Sequence, residues 1–161
     1  MSSGTGRLVL LSGLPGSGKS TLSRRLEAGR PAVRLNPDEW MTDLALDLFD
    51  DLLRERIEAR FWLLTQQLTL AGLTVVLDYG FWLRSERDAK REWCREHGVA
   101  VELHVLDVPL DVLVRRVEAR DGVTEPYAVP LTRALLESYL PAFDLPGPEE
   151  QALFDPPPVV A

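Results

Sequence analysis

Gly13-Leu14-Pro15-Gly16-Ser17-Gly18-Lys19-Ser20, followed by Thr21, fits the pattern G-x-x-x-x-G-K-[ST] at every fixed position. The chemistry of phosphate binding asks for each type where it stands. Glycines let backbone N–H groups turn inward on an anion with no Cβ in the way. A helix that starts behind the loop adds the positive end of its dipole. Lys19 is placed to reach the β- and γ-phosphates of a nucleotide, and the Ser20 hydroxyl is offered to Mg²⁺. The chain has only one other lysine, Lys90, so an incidental lysine in a glycine-rich turn is the weaker reading.

Guanine is usually read by an Asn-Lys-x-Asp loop after a strand. The single asparagine, Asn36, is followed by Pro37, so ATP is the expected nucleotide. Helicases and large ring ATPases need more than 161 residues, which leaves kinases and small regulatory ATP binders.

A kinase needs a carboxylate to orient or deprotonate the acceptor hydroxyl, and cations to absorb charge on the phosphoryl group. Leu35-Asn36-Pro37-Asp38-Glu39 puts two acids just past a strand. Asp38 is the expected general base, a role compatible with capping the next helix. Glu39 is expected to point elsewhere, to the surface. Asp78, ending another strand, could hold Mg²⁺ through water or orient an acceptor-binding group; turn formation is the alternative. Tyr79-Gly80-Phe81-Trp82 follows, an aromatic cluster that stacks on an acceptor or covers the core. Arg116 and Arg120 are four residues apart on one helical face beside Arg115, leading into Asp121-Gly122. A lid arginine closing over the γ-phosphate would sit there; a solvated basic helix end is the plainer reading. Arg84, Arg87, Arg91 and Arg95 interleave with acids as a mainly solvated face, with Arg84 or Arg87 near the acceptor.

These residues have to be held by elements that the apolar pattern predicts. Arg7–Ser12, Ala32–Leu35, Leu73–Leu77 (closing on Asp78) and Val101–Val108 read as strands. Helices are expected from Lys19 to Ala28, and across Asp38–Ala71 as one long helix or two consecutive ones. Further helices are expected from a Ser85 cap to His97, from Pro109 to Arg120, and from Pro130 to Leu140. The tail from Pro141 is Pro-rich and acidic, an ordered wrap with a loose end. Alternating strands and helices predict an α/β fold with a mostly parallel sheet covered on both faces. Ligands then bind at the carboxyl ends of the strands, where the polar residues above fall.

At 161 residues the expectation is one domain spanning 1–161, with a core at 7–140 and a tail at 141–161. Hydrophobic residues at 45% and charged residues at 27% suit a soluble globular protein. A net charge of −7 argues against general binding to nucleic acid or a membrane surface. The single cysteine, Cys94, excludes an internal disulfide and a multi-Cys zinc site, which points to the cytoplasm. Leu8–Leu11 is too short for a membrane span and lacks the basic leader of a signal peptide.

From Leu8 to about Leu140 the chain resembles the small P-loop kinases related to the kinase domain of bacteriophage polynucleotide kinase. That group includes chloramphenicol phosphotransferase-like and zeta-toxin-like enzymes. The resemblance is most telling from Asp107-Val108-Pro109 through Val114-Arg115-Arg116 to Arg120. It implies a nucleoside-kinase-like P-loop NTPase fold, three layers α/β/α. It gives Lys19 and Ser20 the Walker A roles, Asp38 the base, Asp78 the acidic strand end, and Arg116 and Arg120 the lid contacts to ATP. Two departures weigh against a nucleic-acid acceptor. Met41 stands where polynucleotide kinases carry an arginine that grips the acceptor phosphate, and their Asp-Thr-Asn is Asp78-Tyr79-Gly80 here. Asp121–Ala161 adds seven acids against one base, Arg133. The expected acceptor is a small hydroxylated molecule: a sugar, a nucleoside or an antibiotic. A 5′-hydroxyl polynucleotide kinase and a non-catalytic nucleotide-dependent binding module are the alternatives.

Overall fold

The run Leu8-Val9-Leu10-Leu11 is apolar without interruption because both faces of its strand are covered. A computed structural model describes residues 6–120 and 130–158. In it β1 (Arg7–Ser12) lies between β3 (Thr74–Gly80) and β4 (Ala100–Val105), and β2 (Ala32–Leu35) flanks β3. The order is β2-β3-β1-β4, and every pairing is parallel. Leu8 and Leu10 pack into one layer with Phe61, Cys94 and Val101. Val9, Leu11 and Val76 face the other layer, against Leu22 and Leu26. That alternation fixes three layers: α1 (Lys19–Gly29) on one face of the sheet, α3 (Asp51–Leu70) and α4 (Arg84–Glu96) on the other.

The long helical stretch resolves into two helices, α2 (Pro37–Asp43) and α3, joined by 44–50 with Ala45 at φ 55°. Two caps explain the break. Asn36 Oδ1 accepts from the N–H of Glu39 to start α2, and Asp50 Oδ1 accepts from that of Leu53 to start α3. The cap is thus Asn36, not Asp38. Ser85 does not cap α4 either: Leu83 holds that position and its N–H donates to the Glu86 carboxylate. β4 stops three residues short of Val108, and α5 (Leu110–Glu118) follows with Pro109 at its N-cap. α6 (Arg133–Tyr139) starts later than expected because Thr132 caps it.

The tail runs through a 3₁₀ turn (Leu140–Ala142) and α7 (Pro148–Gln151) and packs back on the sheet. Asp155 donates its N–H to Val101 O and accepts from the Val101 N–H at 2.7 Å, satisfying the outer edge of β4. Phe154 enters the core between sheet and helices, and Glu150 meets Arg87.

Glu102, 1% exposed in mid-β4, collects Arg7 at 3.0 Å, Arg30 at 2.8 Å and His104 at 2.9 Å. Burial alone would raise its carboxyl, but hydrogen bonds from His104 and Arg30 and the Arg30 and Arg7 charges outweigh it and hold the carboxyl at about 2. A folded value below the ordinary 4.5 stabilises fully above that pH and is lost as pH falls toward 2. Glu102→Gln should therefore cost about 3 kcal/mol at neutral pH, and flatten the fall of the urea midpoint between those two limits. An unchanged acid profile would remove Glu102 as its source.

Candidate active site

The strand order makes β1 and β3 send their crossovers to opposite sides, so a crevice opens beyond their carboxyl ends. A cleft of about 650 Å³ lies there. Its floor is the glycine-rich loop. Gly16 at φ 84° and Gly18 at φ 99° take left-handed conformations that a side chain would strain. Pro15, Gly16, Gly18, Lys19, Ser20 and Thr21 line the cleft. Gly13 and Leu14 lie behind it: their carbonyls accept from Lys19 Nζ at 2.9 and 3.0 Å. Ser17 is buried, its Oγ without a partner among the described residues. Burial lowers the Lys19 ammonium to about 8; the Asp78 and Asp38 charges oppose the fall and Arg120 deepens it.

Asp78 does not end its strand. β3 continues to Gly80, and its register against β1 slips: Leu10 faces Leu77 but Leu11 faces Gly80. The irregularity holds Asp78 and Tyr79, and bulges of this kind re-aim side chains beside functional sites. The Asp78 side chain is 1% exposed. Its Oδ2 accepts from Ser23 Oγ at 2.7 Å, Arg34 Nη1 at 2.8 Å and Asn36 Nδ2 at 2.9 Å, while Oδ1 is buried with no partner among the described residues.

Asp38, in the first turn of α2, lines the cleft and pairs with Arg54 Nη2 at 2.5 Å. Glu39 is not a surface residue: it lines the cleft too, held by both oxygens to Arg34 Nη2 at 2.7 and 2.8 Å. Tyr79 lines the cleft while Phe81 enters the core, so the aromatic cluster divides between the cleft wall and the core. Burial pushes the Tyr79 hydroxyl up, with Glu58 and Glu86 adding to it. Trp82 Nε1 donates to Gly13 O at 3.2 Å and joins the loop to the end of β3.

The arginines separate. Arg120 lines the cleft, just past α5. Arg116 braces the loop from behind, Nη1 donating to Gly16 O at 3.1 Å, and does not line the cleft. Asp121-Gly122 lies outside the described residues. Arg84, expected near the acceptor, is exposed, pairs with Asp88 and does not line the cleft. Nor is Arg87 part of a solvated face. It is fully buried, paired with Glu150 at 2.6 Å and donating to the carbonyls of Phe81 and Trp82.

Several cleft residues escape a reading of the sequence. Arg34, which does not line the cleft but holds Glu39 and Asp78 beside it, carries the one visible signal, a charge inside a four-residue strand. Asp51, Arg54 and Glu58 are spaced to share one face of α3, but apolar neighbours on that helix mask the pattern. Burial raises the Glu58 carboxyl to about 7; Arg54 opposes, and Glu86, Asp38 and Glu55 add to the rise.

A family model described as an AAA domain matches residues 8–146. No curated protein matches the chain. Among solved structures, a chain of the Pnkp1/Rnl/Hen1 RNA repair complex superposes with TM-score 0.68 at 22% identity over 94% of this chain. The chain spans about half (47%) of that relative. APS kinase CysC of Mycobacterium tuberculosis, solved with AMPPNP and APS, gives TM-score 0.56 at 27% identity, covering 74% of this chain and 72% of its own. A gluconokinase from Sinorhizobium meliloti 1021 gives 0.56 at 23%, covering 92% and 80%. The parallel α/β fold and the resemblance to small P-loop kinases are borne out. No described helix is long and apolar enough to cross a membrane.

Proposed function

The chain belongs to the AAA domain family, whose model spans residues 8–146, and from that premise we propose that it is an ATP-dependent phosphotransferase acting on a hydroxyl of a small molecule. One observation carries this reading. A single cleft gathers a phosphate loop with its lysine, a carboxylate at the first turn of α2, and an arginine after α5: Lys19, Asp38 and Arg120. A nucleotide-dependent binder would need only the first of these.

Lys19 and Arg120 would stabilise charge on the transferring group, and Asp38 would take the acceptor's proton. Arg116, bonded to Gly16 O, would hold the loop in shape around ATP. The donor set also suits Mg²⁺. Ser20 offers a hydroxyl on the cleft, and Asp78 a buried oxygen without a partner among the described residues. When bound, the ion would neutralise the β- and γ-phosphate oxygens. Kinase relatives such as the AMPPNP-bound APS kinase support the class of reaction.

Met41 supports a small acceptor over a polynucleotide end. It is fully buried in the core, and its side chain does not line the cleft. Screening hydroxyl-bearing metabolites and antibiotics for acceptor-dependent ADP release tests the proposal, with a 5′-hydroxyl oligonucleotide beside them. ATP binding with slow hydrolysis that no alcohol accelerates would mean a binding module.

A further inference from the structure

The acceptor half of the cleft carries charge of the wrong sign for an anionic substrate. α3 presents Asp51, Arg54 and Glu58 to it, and α2 adds Asp38. Arg54 is the only cation of the four, and it is spent on Asp38. Asp51 and Glu58 have no ion-pair partner among the described residues. Three rings, Tyr79, Trp82 and Tyr139, line the same space, the last two with centroids 5.0 Å apart. Ring faces attract cations. Asp78, 3% exposed and with Oδ1 unpartnered among the described residues, marks the cleft as a ligand site independently of these acids.

The field is already costly to its own members. Burial raises the Glu58 carboxyl, and Glu86, Asp38 and Glu55 add to that against Arg54 alone. An entering phosphate or carboxylate would meet these carboxylates with no uncommitted cation from α2 or α3. An ammonium group would relieve them.

We propose that the acceptor is a hydroxylated amine, whose ammonium group sits among Asp51, Glu58 and the rings of Tyr79, Trp82 and Tyr139 while its hydroxyl faces Asp38. This rests on the phosphotransferase reading of the same cleft. In the transfer, the bond between the γ-phosphorus and the β–γ bridging oxygen breaks and ADP leaves with that electron pair. The acceptor oxygen forms the new bond to phosphorus, and its proton passes to Asp38.

D-glucosamine, D-glucose and D-gluconate share one carbon skeleton and differ in charge; kanamycin is a larger polycation. Each is titrated calorimetrically into the protein with AMPPNP and Mg²⁺, and each is assayed with ATP for ADP release. The expected order places at least one cation roughly tenfold or more ahead of gluconate, with glucose between. Glu58→Gln should shrink the cation-over-glucose ratio by about tenfold, and Glu58→Asp should restore part of it. AMPPNP affinity reports that the variants are folded. Gluconate binding as tightly as the cations, or neither cation binding, overturns the proposal. ADP release without preference for cations sinks it and leaves the phosphotransferase standing. Cation binding without ADP release overturns the acceptor assignment and the phosphotransferase reading together, and leaves a cation-binding cleft.

Discussion

Lys19→Ala should lower ATP-dependent phosphoryl transfer by at least about a thousandfold. The side chain is poised by the fold. Its ammonium is tucked under the loop against the carbonyls of Gly13 and Leu14, and it carries a value of about 8. Phosphate oxygens arriving at that nitrogen would favour its charged form and raise the value again. Nucleotide binding at pH 8 should then draw up to about half a proton from solution. Calorimetry in buffers of different ionisation heat measures this directly. Lys19→Ala should abolish that uptake while the circular dichroism spectrum stays that of the parent. Proton uptake that survives in Lys19→Ala would assign the titration elsewhere.

Asp38→Asn should remove transfer while sparing nucleotide binding, with kcat falling about a thousandfold. The amide keeps the size of the carboxylate and can still accept from Arg54, now 2.5 Å from Oδ1. It cannot accept a proton from an alcohol. The Kd for AMPPNP should stay within about twofold, because Asp38 belongs to α2 and not to the phosphate loop. A variant as active as the parent would remove the base assignment.

What a sequence shows plainly is what local chemistry decides. The phosphate loop is legible because eight consecutive residues carry one job, and β1 because four apolar residues in a row suit only a strand covered on both faces. Asp38 was visible through its place after β2. Less visible was whatever depends on distant pairing. Glu39 lies in the cleft because Arg34 holds it, and Arg34 is turned there by Asp78, forty-four positions later. The register slip that re-aims Asp78 belongs to the β1–β3 ladder, not to either strand alone. Arg87 read as one of a stripe of solvated arginines, and only the returning tail makes it the buried member. Arg84 shows the converse, a plausible position with nothing to bring it inward.

Arg87 also joins the two ends of this molecule. Its guanidinium holds the carbonyls of Phe81 and Trp82 and is neutralised by Glu150 through two bonds. Trp82 in turn bonds Gly13. A shortened polypeptide ending at Leu140 would keep every residue of the nucleotide motif and leave the Arg87 charge without its counterion. It should lose several kcal/mol, seen as a collapse of the melting temperature, and Arg87→Met in the same short chain should return part of that loss. Whoever trims this protein to its recognisable P-loop portion should expect to cut away the counterion that keeps the phosphate loop's scaffold in place.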